Sequence, residues 1–479
     1  MNFLALFLCF CGYMLISSAS WIVRKFGEVT YEQIIFHINV PLDSETKLII
    51  SYFQNTVMMA IILVIIIYFC QRRFKSSKYI YGAAAFFIIS IIYFGWRMNV
   101  PEMWKYKQRR QIVSNFYEQN YVNPNDVEIT APEHKKNLIF IFAESMEATY
   151  AGNNLWQDNL IPNLSKLAQE NVNFGAGDEV KGFFEIIGAD YTQASVVSQM
   201  CAVPLKIPLA NERFFRPKNG FLPKATCLFD ILQKEGYNQS FLIGTVREYA
   251  GTDKLLSSHG NVKLLDWKYF AVQDNLDAHA DKKRTKVVRD NRLFEYAKEE
   301  LSKLSSENKP FFLTLMTLDT HFANEYFEKD KCPILYHDDK VKDEDYFKNV
   351  ISCADYQLGS FINWLKTQNF YNNTLIVIVG DHLAMNDALF EKISKRKVFD
   401  VYINGLNRDI NETRLFSALD TMPTVLEGLG YKINGHRLGL GTSLYSDEKT
   451  LLEKGFTAEK LGKELDKSSE IYNHLLFGK

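Results

Sequence analysis

The chain has 479 residues, room for two or three domains, and a hydrophobic content of 47% that is ordinary for a globular protein. A formal net charge of −1 and the lack of any basic stripe argue against a nucleic-acid partner. The apolar residues are front-loaded, which points away from a purely soluble chain.

Three uncharged segments, about 4–23, 48–70 and 79–96, can each span a bilayer, which takes roughly 20 apolar residues. The first lacks the basic leader and clear cleavage site of a signal peptide and reads as a membrane helix. Residues 24–47 read as an external loop. Arg72, Arg73, Lys75 and Lys78 crowd the loop between the second and third segments, so that loop is expected in the cytoplasm and everything after Trp96 outside it. Lys105, Lys107, Arg109 and Arg110 argue the other way, but a large following domain translocates largely regardless of charge. Residues 1–98 are thus expected to form a three-helix transmembrane anchor. Residues 99–135 read as a juxtamembrane helix and an extended linker through Pro124 and Pro132.

The domain expected outside the membrane, 136–479, opens on Asn137–Ala143, an apolar run of the kind buried on both faces of a parallel sheet. It ends in Glu144-Ser145. Helical spacing follows over 161–168, a short strand over 172–174 and a helix over 192–200. An amphipathic helix over 227–235 stops at Gly236. Strands are expected over 239–243 and 310–317, the second running into Leu-Asp-Thr-His321, with a charged amphipathic helix over 290–304 between them. After a long helix over 350–366 comes a second fully apolar run, Thr374–Gly380, which ends in Asp381-His382. A strand over 399–403, a helix over 417–429, a glycine-rich loop over 438–445 and a charged helix over about 458–476 complete the chain. The loop lacks the lysine and the spacing of a phosphate loop. Strands alternating with helices of this length predict an α/β domain with a largely parallel central sheet.

Of the seven cysteines, Cys9, Cys11 and Cys70 fall in the membrane segments. Cys201, Cys227, Cys332 and Cys353 lie in the outer domain, where two disulfides are expected. The pairs Cys201–Cys227 and Cys332–Cys353 close the shortest loops; the alternative is four buried free thiols.

Glu144, His321 and Asp381-His382 all follow apolar strands, and in a parallel sheet such ends share one edge, where ligands bind. Core packing needs no carboxylate or imidazole there. Glu144, Asp381 and His382 offer oxygen and nitrogen ligands for one divalent metal. His321 is expected nearby, able to contact a phosphate or protonate a leaving group. A nucleophilic hydroxyl is best placed at a helix start, where the dipole favours an anion. Thr192 and Ser195 are both candidates from pattern alone, and Thr192 could equally be a plain helix cap.

The stretches NLIFIFAESMEATY, YTQASVVSQMCAVPL, CLFDILQKEGY, KPFFLTLMTLDTH, SCADYQLGSFINWL and TLIVIVGDHLAM, in this order, resemble the lipoteichoic acid synthase / phosphoglycerol transferase I family. The resemblance covers about 136–440. It implies the sulfatase-type α/β fold of the alkaline phosphatase superfamily and metal ligation by Glu144, Asp381, His382 and Thr192. The family's threonine stands nine residues before the cysteine of its Cys-small-aliphatic-Pro-Leu motif, as Thr192 stands before Cys201, which favours Thr192 over Ser195 as nucleophile. His321 matches the histidine on the substrate phosphate, and Arg247 lies in a stretch that loosely matches a substrate-binding loop. Ser195 and Phe322 stand where the family usually has glycine.

The resemblance implies a transferase of the bacterial inner membrane with a periplasmic catalytic domain. It would move phosphoglycerol from phosphatidylglycerol, or another phospholipid donor, to an envelope glycan through a phospho-Thr192 intermediate. One divalent ion is implied, Mn²⁺ favoured over Zn²⁺ or Mg²⁺. The alternative is a phosphoethanolamine transferase acting on lipopolysaccharide or another envelope glycan. Sulfatase chemistry would need a Cys/Ser-x-Pro-x-Arg motif, and none lies near Thr192. Asp355, Asp420, His259 and the His436-Arg437 pair are expected in structural roles.

Overall fold

The computed structural model describes residues 3–26, 46–74, 76, 78–152, 158–177, 180–206, 220–274, 287–321, 325–336, 343–385, 396–406 and 410–478. Most of the expected 24–47 loop, Lys75 and Phe322 lie outside these residues. The chain divides into two compact units, Met1–Arg110 with Met385–Glu391, and Gln111–Ala384 with Lys392–Lys479.

The first unit contains three helices long and apolar enough to cross a membrane, over Phe3–Arg24, Ile49–Phe74 and Tyr79–Arg97. Small residues let them approach: a Cβ on Gly12 would stand 2.8 Å from the Phe86 ring. Hydroxyls bridge between helices, Ser20 to the Tyr93 hydroxyl at 2.9 Å and Ser18 to the Tyr52 hydroxyl at 2.8 Å. Ile65, Ile66, Phe69, Ile88 and Ile92 face outward, as lipid-facing side chains would. A separate helix, Val100–Arg109, follows the last span.

The second unit is built on a seven-stranded sheet. Its strands are β1 (Gly182–Phe183), β2 (Val398–Ile403), β3 (Thr374–Gly380), β4 (Asn137–Ala143), β5 (Phe311–Met316), β6 (Asn238–Ile243) and β7 (Lys263–Leu265), here numbered across the sheet from edge to edge. Strands β3 to β7 run parallel, and β2 is antiparallel to both its neighbours. The two central runs, β3 and β4, are buried at every position, which explains why they carry no alternation of polar residues. Helices cover the sheet, among them Asp290–Ser306, Asp343–Leu365 and the fully buried Thr192–Cys201.

Four expectations change. Residues 111–135 are no free linker: Ser114 and Val122 pair with Ser468 and Gly439, and Ile129–Thr130 pairs with Lys432–Ile433. The strand expected over 172–174 is a single bridge from Val172 to Tyr402, because the Asp400 carboxylate takes the Phe174 amide at 3.2 Å. The glycine-rich 438–445 loop contains a small hairpin, Arg437–Leu438 against Gly441–Thr442. The terminal helix is two, Ala458–Leu465 and Glu470–Phe477, restarted by Ser469 accepting from the Tyr472 amide.

Gly380 ends β3 where the backbone of Met146 crosses it. A Cβ there would lie 2.1 Å from the Met146 carbonyl oxygen and 2.6 Å from Val398. Gly380→Ala should therefore destabilise the domain by at least about 1–3 kcal/mol. A lowered denaturant midpoint checks this; an unchanged midpoint would mean the crossing is not so tight.

Candidate active site

The carboxyl ends of β3, β4, β5 and β6 are adjacent along one sheet edge. Glu144 is the first residue after β4, and Asp381 and His382 are the first two after β3. Ligand atoms of Glu144, Asp381 and His382 lie within 4.8 Å of one another, and all three residues are buried. His382 Nε2 is 3.3 Å from Asp381 Oδ2, 3.6 Å from Glu144 Oε1 and 3.3 Å from Thr192 Oγ1.

The backbone around this cluster is held to give that geometry. Ser145 adopts a left-handed conformation (φ 52), uncommon for a residue with a side chain. Its amide donates to Asp381 Oδ1 at 2.8 Å, and its hydroxyl donates to Glu144 Oε1 at 2.9 Å. Asp381 Oδ1 also accepts the His382 amide at 2.9 Å. His382 Nδ1 sits 2.8 Å from the Leu383 carbonyl oxygen. Only an N–H can face a carbonyl, so Nδ1 carries a proton and Nε2 is the nitrogen left to bind a cation.

The turn after His382 is pinned by groups that sequence reasoning missed. Glu185 accepts the Leu383 amide at 2.7 Å, and Glu147 accepts the Ala384 amide at 2.9 Å. Glu147 is in turn paired with Arg396, whose guanidinium also donates to the Ala384 carbonyl at 2.7 Å. Glu147 lies in the same ESME stretch as Glu144, but its partner lies 249 residues away, beyond any local signal.

The residues fit a divalent cation. Asp381 Oδ2 is buried and accepts no hydrogen bond among the described residues. Burial, then the neighbouring Asp381 charge, pushes Glu144 well above the usual carboxylate range. Burial alone would lower His382, but the Asp381 and Glu144 carboxylates outweigh it and raise it. Two buried carboxylates and an imidazole nitrogen aimed at one point make a site that a cation would relieve, and the mixed N/O donors suit Mn²⁺ or Zn²⁺.

Thr192 is the first residue of the helix Thr192–Cys201, whose N-cap residue, Tyr191, makes no side-chain cap. Its uncapped amides and dipole face the position where an anion would be stabilised. Ser195, one turn on, is fully buried; its hydroxyl donates to the Asp381 carbonyl and accepts from Gln199 Nε2 at 2.9 Å. It braces the backbone of Asp381, whereas Thr192 faces His382 Nε2. A disulfide joins Cys201, the last residue of this helix, to Cys227, and a second joins Cys332 to Cys353.

His321 lies five residues past β5. Its loop is tied to the Glu144 turn: Thr317 Oγ1 accepts the Glu144 amide at 2.9 Å, and Thr320 Oγ1 donates to the Glu144 carbonyl. Tyr249, also missed by sequence reasoning, brings its hydroxyl to 3.4 Å from His321 Nε2. Arg247 lies in the same loop after β6. Its guanidinium meets Asp266 through Nη2 at 2.9 Å and Nε at 3.2 Å. The other acids and histidines are structural. Asp355 accepts the Asn163 and Leu164 amides at 3.0 and 2.8 Å, capping that helix, and Asp420 accepts the Ser417 and Thr442 amides. His259 bridges Asp230 at 2.7 Å and the Phe221 carbonyl at 2.9 Å, and His436 pairs with Glu427 at 2.6 Å. Cys227, Asp230 and His259 also cluster, but Cys227 is in a disulfide and offers no thiolate.

A three-helix membrane unit followed by a parallel α/β domain, with acid, imidazole and hydroxyl groups gathered at one sheet edge, defines a member of the alkaline phosphatase superfamily. The Sulfatase family profile matches residues 136–431, and the chain belongs to that family. It is 31% identical over 322 residues to phosphoglycerol transferase I of Xanthomonas axonopodis, covering 66% of this chain and 44% of that protein. To phosphoglycerol transferase I of Escherichia coli it is 30% identical over 324 residues, covering 67% and 40%. The chain thus spans less than half the length of these curated relatives. The lipoteichoic acid synthase LtaP of Listeria monocytogenes shares the fold with a TM-score of 0.52 at 19% identity, over 69% of this chain and 80% of that one. The lipooligosaccharide phosphoethanolamine transferase A of Neisseria meningitidis does so with a TM-score of 0.52 at 12% identity, over 90% and 85%.

Asp381→Asn keeps the side-chain shape and removes the charge. It should lower divalent-metal affinity by more than about 100-fold, since even outer-shell changes cost about 10–100-fold. Chelator competition followed by elemental analysis checks this; undiminished metal content would remove Asp381 from the ligand set.

Proposed function

We propose that the chain is a membrane-anchored transferase that moves phosphoglycerol from phosphatidylglycerol to a glycan of the bacterial cell envelope, through a covalent intermediate on Thr192. The observation that carries this reading is Thr192 Oγ1 standing 3.3 Å from His382 Nε2, at an uncapped helix start beside Glu144 and Asp381. The phosphoglycerol transferase I relatives favour glycerol phosphate as the group transferred.

Glu144, Asp381, His382 and Thr192 would hold one divalent ion, Mn²⁺ favoured, which supplies a lowered hydroxyl pKa and stabilisation of phosphoryl charge. In the first step Thr192, as the alkoxide, attacks phosphorus and the P–O bond to diacylglycerol breaks. His321 gives the leaving alkoxide its proton. In the second step a glycan hydroxyl attacks the phosphorus, its proton passes to His321, and Thr192 leaves as the alkoxide, ready for the next cycle. The amides at the start of the Thr192 helix stabilise the phosphoryl oxygens throughout. Arg247 gives Nε and Nη2 to Asp266, which supports a structural role for it.

Arg72 and Arg73 in the last turn of the second span and Lys78 just before the third support a cytoplasmic loop and a periplasmic catalytic unit in the inner membrane. The two disulfides suit an oxidising compartment. A lipid donor requires an enzyme held at the bilayer, and the apolar helices supply that anchor.

Thr192→Ala should abolish transfer of label from head-group-labelled phosphatidylglycerol while leaving the melting temperature within a few degrees. Undiminished transfer would remove Thr192 from the role. The wild-type protein given labelled phosphatidylethanolamine tests the other donor, and faster turnover of that lipid would replace phosphoglycerol by phosphoethanolamine.

A further inference from the structure

The loop that carries His321 leaves β5 at Met316 and turns through Leu318, Asp319 and Thr320. Two of its backbone amides end on one buried side chain. Asp290 accepts the Leu318 amide on Oδ1 at 2.8 Å and the Asp319 amide on Oδ2 at 3.0 Å. The grip is returned: Asp319 Oδ2 accepts the Asp290 amide at 3.0 Å, and Asp319 Oδ1 accepts from Arg289 Nη1 at 3.1 Å. The Arg289 guanidinium also lies 4.1 Å from the Tyr326 ring centre, on the far side of the same loop. Within the turn, the His321 amide donates to the Leu318 carbonyl at 2.9 Å.

Asp290 is the first residue of the helix Asp290–Ser306, and it is 1% exposed; Asp319 is 5% exposed. Capping a helix needs one short polar side chain, commonly worth about 1 kcal/mol. A second buried carboxylate beside the first adds desolvation and repulsion. Burial, then the Asp319 charge, pushes Asp290 well above the usual carboxylate range. Burial pushes Asp319 up to about 6 against the pull of Arg289. The paired acids are therefore a poor cap and an effective clamp, because together they fix two successive amides of the His321 turn to a long helix.

We infer that Asp290 and Asp319 are positioning residues, a reciprocal clasp that holds the His321 turn in register with the Glu144 turn for phosphoryl transfer. The inference rests on the proposed role of His321. It assigns these acids no contact with substrate; they act through the histidine.

The test is a double-mutant cycle on the full-length protein in nanodiscs, read as kcat/KM for transfer from labelled phosphatidylglycerol. Asn at 290 keeps one acceptor and turns an N–H toward a backbone N–H. Asp290→Asn should lower kcat/KM about 10–100-fold, the scale of a misplaced reacting group. In a His321→Ala background the same change should cost less than about twofold, because the residue acted upon is gone. Equal losses in both backgrounds would overturn the clasp and leave the phosphoryl-transfer reading intact. A His321→Ala variant as active as wild type would overturn both the clasp and the role given to His321. If Asp290→Asn does not fold, Asp319→Asn carries the same cycle with the same two outcomes.

Discussion

Two carboxylates and an imidazole are buried together at the ends of two central strands, with ligand atoms no more than 4.8 Å apart. Like charges so placed in a low-dielectric site repel strongly unless protonated or joined by a cation. Much of the surrounding structure serves to keep them there. The left-handed Ser145 bends the chain so that its amide meets Asp381 and its hydroxyl meets Glu144. The Leu383 carbonyl fixes the imidazole tautomer, and Glu185, Glu147 and Arg396 pin the turn beyond it. Strands alone would only bring the residues to one edge; these local bonds aim them.

The nucleophile candidate is positioned from the other side. The helix that begins at Thr192 is buried along its whole length, braced by Ser195 and, one turn on, Gln199 on the Asp381 and Gly380 carbonyls and covalently tied at its end through Cys201. Asp381 is thus addressed at both carboxylate and carbonyl, so a shift of the helix would disturb the acid cluster directly. The His321 turn is coupled to the same region through Thr317 and Thr320. Three separate parts of the chain therefore converge on the backbone of residues 144 and 381.

The sheet was legible because its central strands are continuous apolar runs, and Asn137–Ala143 and Thr374–Gly380 match their expected spans. Strand ends in a parallel sheet share an edge by topology, so Glu144, Asp381 and His382 could be grouped before any coordinates. Weak or non-local features were not legible. The two-residue strand Gly182–Phe183 and the three-residue strand Lys263–Leu265 are too short to carry a pattern. Residues 111–135 looked like a linker because their partners, near 432–439 and 468, are more than 300 residues away. Thr192 and Ser195 are chemically alike in one dimension; in three, Ser195 bonds the Asp381 carbonyl while Thr192 faces His382 Nε2. Arg247 drew attention because its stretch loosely resembles a substrate-binding loop; its bidentate pair with Asp266, 19 residues on, has no local sequence signal.

The central claim is that phosphoglycerol passes through Thr192. Acid-quenching the wild-type protein during turnover of phosphatidylglycerol without acceptor, then sequencing its peptides by mass spectrometry, tests this most directly. The account predicts a phosphoglycerol adduct on the peptide spanning residue 192, with the modification on Thr192 itself. An adduct on another side chain, or transfer that proceeds with Thr192 unmodified, would contradict it.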